Sequence, residues 1–196
     1  MIQGLIFNQC MVNAYPNGCC RKDTLLAKKC NNPNLVKQIS VSLFMTADKS
    51  NLNEGVIELA CIWVEQQQEY IGNFGAKLTP HQTALAVQVG VRQPECIRIL
   101  TVERIPSPKD ESLSKLAEKL NFLGPGTLGI TLGYCIYVRD GYVDDRLLSH
   151  EFRHVYQFEE SGSIQSFVGE YIQQLIQYGY ELSPFEIDAR EHEVSN

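Results

Sequence analysis

An α+β fold, with a small sheet packed on helices, is what three features of the sequence predict. Apolar residues recur at helical spacing across residues 51–71 and again through the last third of the chain. Two runs rich in β-branched and aromatic residues, 96–106 and 127–138, lie between them. The chain is 44% hydrophobic and 20% charged, enough apolar material to bury a core. Two short β runs among several helices give a small sheet packed on helices.

The elements follow in order. Residues 1–50 form a Cys-rich segment in which Asn, Pro and Gly favour turns, with one strand candidate at 38–45. Residues 51–196 read as the folded domain. Val56, Leu59, Ala60, Trp63, Val64 and Ile71 form the stripe of a helix of about five turns that stops at glycine. A second helix spans 80–91 with proline in its first turn. The strand at 96–106 ends at proline, and a short helix begins near Asp110. The segment 127–138 reads as β structure, followed by a tight turn at Asp140-Gly141. The last third is helical: one helix starts under two aspartates at 144 and 145, a second carries Ile164, Phe167, Val168, Tyr171, Ile172, Leu175 and Ile176, and a third starts near Ser183.

Composition narrows the function. A net charge of −6 argues against nucleic acid, because phosphate contacts need clustered Lys and Arg. No run of eighteen apolar residues offers a membrane span, and the first ten residues lack the basic and apolar regions of a secretory signal. A cytoplasmic protein is expected, and its seven cysteines are then expected as reduced thiols. Cys10, Cys19, Cys20 and Cys30 do not have the paired spacing of a zinc knot.

Two motifs could carry chemistry. Gly124, Gly126 and Gly129 satisfy G-x-G-x-x-G, but the loop follows a helix, contains Pro125 and leads into a strand. Phosphate binding needs the opposite order, so a glycine-rich turn is expected. In S-H-E-F-R-H-V-Y-Q, at 149–157, His150 and His154 are four residues apart on a helix and share one face. Both imidazoles can therefore reach one ion. Glu151 points slightly aside, where it can take a proton from water whose acidity the metal raises. Leu147, Leu148, Phe152 and Val155 bury the other sides, Arg153 reads as a surface charge, and Gln157 as a supporting or packing amide.

A catalytic metal needs a third protein ligand. The downstream candidates are Glu159, Glu160, Glu170, Glu181, Glu186, Asp188 and His192, with Glu170 and Glu186 best oriented. Glu186 has a competing role, since Ser183-Pro184-Phe185-Glu186 has the form of a capping box.

H-E-F-R-H followed by E-I-D-A resembles the gluzincin class of zinc metallopeptidases, and the order of motifs across residues 55–190 is similar to that of a group of small bacterial proteins assigned as zinc peptidases. The resemblance implies a zincin-like fold, Zn2+ held by His150, His154 and Glu186, Glu151 as general base, and a peptide or protein substrate. It also implies that a strand at 127–138 forms an edge able to pair with extended peptide. The class often has aspartate where this chain has Arg190. Tyr171, Tyr178 and Tyr180 are candidate donors to an oxyanion, with no basis for choosing among them.

Overall fold

The structure is a computed structural model that describes residues 49–120 and 122–195, with side chains from residue 55. The Cys-rich segment and the strand expected at 38–45 lie outside the described residues. The described elements run α1 (Lys49–Phe74), β1 (Ala76–Lys77), α2 (Pro80–Gln88), β2 (Arg98–Val102), α3 (Glu111–Lys119), β3 (Gly129–Leu132), β4 (Cys135–Arg139), α4 (Asp145–Ser161), α5 (Ile164–Tyr178) and α6 (Pro184–Glu191), with a 3-10 turn at Pro94–Cys96. This is an α+β arrangement, as expected.

The sheet has the order β1-β2-β4-β3. β2 and β4 run parallel, with Ile99 opposite Ile136 and Thr101 opposite Val138. β1 and β3 pair antiparallel with β2 and β4. Central β4 is apolar along most of its length because both its faces are covered. Alternation sends Ile136 and Val138 to one face and Cys135 and Tyr137 to the other. On the first face lie α2 and α4, through Leu85, Ala86, Val89, Leu148, Phe152 and Val155. The second face carries Val64 and Ile71 of α1, with Ile164 and Val168 of α5 packed alongside.

The segment 127–138 is not one strand. It folds back as a β3–β4 hairpin, with Leu132 paired to Cys135 across Gly133-Tyr134. Gly133 has φ of +66°, a left-handed conformation suited to a two-residue turn. A side chain there would also meet Gln68 Nε2 at 2.5 Å. The correction matters for the site, because of these two strands only β3 lies at the sheet edge, and β4 is interior. The first long helix continues through Gly72 to Phe74, since burial of Ile71 against the sheet outweighs one helical glycine.

Cys61 and Cys135 are buried thiols outside any disulfide, as expected; burial and nearby Glu65 push the Cys61 thiol up to about 11. Cys96, half-exposed beside β2, is disulfide-bonded, so the reduced state expected for it does not hold. Among the described residues no helix is long and apolar enough to cross a membrane.

Candidate metal centre

α4 is seated by its own apolar stripe. Asp144 caps it, accepting from Leu147 N at 2.8 Å, and Leu148, Phe152 and Val155 are buried against β2 and β4. That packing fixes the helix's rotation, so the next stripe, His150 and His154, faces inward instead of toward water. Both imidazoles are buried, at 8% and 7% exposure.

The third group comes from α6. Glu186 is 1% exposed, with Oε1 3.2 Å from His154 Nε2 and Oε2 3.4 Å from His150 Nε2. The two Nε2 atoms are 3.2 Å apart. One ligand atom from each of the three residues lies within 4.8 Å of the others, a group that could hold a metal ion. The capping box does not form: the Ser183 hydroxyl donates to Gln174 Oε1 at 3.0 Å and makes no cap bond. Gln174 of α5 caps α6 instead, accepting from Phe185 N at 2.9 Å. This leaves the Glu186 carboxylate free to turn toward the histidines. Glu170 is exposed and, among the described residues, accepts from Gln174 of its own helix.

Each imidazole is held from behind. Both amide protons of Gln157 are committed, to Phe185 O at 2.9 Å and Asp188 Oδ2 at 2.7 Å. Its oxygen therefore accepts, and His154 Nδ1 donates to it at 2.7 Å. His150 Nδ1 donates to Glu193 Oε1 at 3.2 Å. With both Nδ1 atoms carrying protons, both Nε2 lone pairs are aimed at the common centre, the arrangement in which outer partners orient metal-binding histidines. Tyr171 donates to Glu186 Oε1 at 2.7 Å, while buried Oε2 has no hydrogen-bond partner among the described residues. A buried carboxylate oxygen left without a donor is costly, and a cation shared with two imidazoles would remove that cost. The donor set of two nitrogens and one oxygen suits a borderline ion such as zinc.

The electrostatics agree. Burial works against a charge on His154, but the Glu186 carboxylate overrides it and raises its pKa to about 9. Burial likewise opposes the Glu186 charge, and the two histidines hold that carboxyl well below the usual range. Without a metal, a proton therefore fills part of the gap that a cation would otherwise balance.

Glu151 sits beside this group, between α4 and β3. It is 4% exposed, and burial pushes its carboxyl upward against the opposing pull of His150 and His154. Thr131, which points to the α4 side of β3, donates to Glu151 Oε2 at 2.6 Å and lies 3.0 Å from the Glu151 carbonyl. The hydroxyl can donate to the carboxylate when Glu151 is ionised. When Glu151 is protonated it can turn to the carbonyl and accept. Gly129 makes room: a Cβ there would stand 2.8 Å from Glu151 Cδ and 3.0 Å from Cγ. The third glycine of G-x-G-x-x-G is thus a close approach of strand to carboxylate, and the loop follows a helix as expected.

A cleft of about 660 Å³ opens over the site, reaching His150, Glu151, His154 and Glu186, with walls that include Leu113, Leu116, Ile130, Val168 and Ile172. Tyr180 lines it, held neutral by burial and then by Glu186. Tyr171 is engaged by Glu186, and Tyr178 is 46% exposed.

Arg153 is not a surface charge. Its side chain is 15% exposed, donates to Asp188 through Nε at 2.8 Å and Nη2 at 2.9 Å, and lies over the Tyr156 ring. Asp188 in turn fixes Gln157, so Arg153 supports His154 through two intermediaries. Glu159 is used structurally, accepting from Arg92 N and Gln93 N. Thr131 and Glu193 carried no sequence signal, because both reach the site through tertiary packing.

The chain matches no protein family, no curated protein and no solved structure to which it was compared.

Proposed function

We propose that this chain is a zinc-dependent hydrolase of peptide bonds with a zincin-like domain. The observation that carries the proposal is the convergence of His150 Nε2, His154 Nε2 and a Glu186 carboxylate, with each Nδ1 pinned as a donor. Three protein ligands are the complement of a catalytic zinc, which keeps a further position open. When bound, zinc would polarise the attacked carbonyl and raise the acidity of water.

The remaining chemistry belongs to this chain's own side chains. Glu151, whose carboxyl burial pushes upward, takes the proton from the attacking water and delivers it to the leaving amine. Thr131 serves both protonation states. β3 pairs only with β4 among the described strands, so its outer edge can take an extended peptide by strand addition. The adjoining apolar walls favour bulky apolar side chains on that peptide. The acidic net charge disfavours nucleic acid, and a cytoplasmic setting fits the reading.

The test is Glu151→Gln. The variant is expected to bind zinc like the parent and to lose cleavage of a broad peptide library by about 10²–10⁴-fold. Zinc-loaded protein with no cleavage that depends on Glu151 would favour a zinc-binding module without peptidase activity.

A further inference from the structure

His150 is oriented differently from His154, and the difference points to a role for the segment after α6. That helix ends at Glu191, and the chain then turns back over the start of α4. Glu193 Oε1 accepts from His150 Nδ1 at 3.2 Å, while its Oε2 accepts from Arg146 Nε at 2.5 Å. Arg146 and His150 are one helical turn apart, so a single carboxylate spans both. Val194 N donates to the Ser149 hydroxyl at 3.0 Å, and that hydroxyl donates to Arg146 O at 2.8 Å. Ser149 is fully buried, and Val194 packs against the core cluster to which α4 contributes Leu148, Phe152 and Val155. The hydrogen-bonded anchor points fall within residues 146–150. Position 190 cannot supply the orienting carboxylate, because it is arginine and its guanidinium donates to Glu181 O.

We infer that Glu193 is a positioning residue that sets metal affinity through His150, and that metal loading and docking of the 192–195 segment are one coupled event. The inference rests on the metal reading above. A ring held in its ligating orientation has less freedom to lose on binding, and an anionic acceptor on Nδ1 strengthens the nitrogen opposite. Coupling is reciprocal: a docked segment tightens metal binding, and bound metal holds the segment down.

The experiment measures Zn2+ affinity of the full chain by competition with a chromophoric chelator. Glu193→Ala is expected to weaken binding about 10–100-fold and Glu193→Gln by less, since an amide oxygen still accepts. Ser149→Ala, which undocks Val194 without touching Glu193, should also weaken it. Glu191→Gln removes the same charge from an exposed position two residues away and should leave affinity unchanged. In the parent protein, amide exchange at Val194 should quicken on removal of the metal. Circular dichroism checks folding, and the near-isosteric Gln variant keeps the test valid if the Ala variant unfolds. Parent-like affinity in both Glu193 variants, or Val194 exchange indifferent to metal, overturns the inference. A parent protein that binds no Zn2+ overturns the metal reading, and this inference with it.

Discussion

Replacing Gly129 with alanine puts a methyl group where the Glu151 carboxylate lies. The new Cβ would stand 2.8 Å from Glu151 Cδ, about 0.7 Å short of an ordinary carbon contact of about 3.5 Å. An exposed glutamate would swing away at little cost. This one is 4% exposed, held by Thr131 at 2.6 Å and seated on a helix anchored by fully buried Phe152. Overpacking of that kind costs about 1–3 kcal/mol. For a domain of this size, a loss of 1–3 kcal/mol lowers the melting temperature by roughly 2–12 °C. Glu151 shifted by most of an ångström from its working position should lose about 10²-fold in turnover. The three candidate ligands, His150, His154 and Glu186, are untouched, so zinc content should be unchanged. Gly126→Ala is the control, because nothing lies within 4 Å of its Cβ position. Thermal melts, zinc analysis and cleavage assays on the two variants decide the matter. A Gly129→Ala protein that melts with the parent would show that Glu151 is not wedged against β3, and the general-base geometry would fall with it.

Stability of the metal-stripped protein should fall as pH rises from about 6.5 through about 9. His154 has a raised pKa when folded, so its contribution is complete below the unfolded value and lost above the folded one. With Zn2+ in excess the trend should reverse, because the metal competes with that proton; chemical denaturation across this range checks both. Arg153→Met should cost about 1–3 kcal/mol in urea melts and weaken zinc binding, since it frees Asp188 and loosens Gln157. Asp188 itself is opposed by burial, but Arg153 and Gln157 hold its pKa low. Its contribution is therefore present above the usual carboxylate pKa and lost in acid, and Arg153→Met should flatten the acid limb of the stability profile. Tyr171→Phe should lower zinc affinity about tenfold, by removing the donor that fixes Glu186 Oε1.

Helix positions were legible because periodicity and capping are local. Asp110, Asp144 and Ser163 cap the helices they precede, and their spacing can be read without a fold. The His150–His154 pair was legible for the same reason, since four residues of helix always bring two side chains to one face. The hairpin at Gly133 was missed because an apolar run looks the same whether it continues or folds back. Arg153 was misread because charge in a sequence says nothing about a partner thirty-five residues away.

The sequence by itself determined the helical frame, the pairing of His150 with His154, and Glu151 beside them. It left Glu186 and Glu170 as rivals, and it contained no sign of Thr131 or Glu193. Only the tertiary structure decided those, because it rotates α6 so that a buried carboxylate meets two imidazoles, and it folds 192–195 onto the start of α4. Contacts within one helical turn follow from backbone geometry. Contacts between segments follow from which apolar faces bury together, and packing settles that across the whole molecule at once.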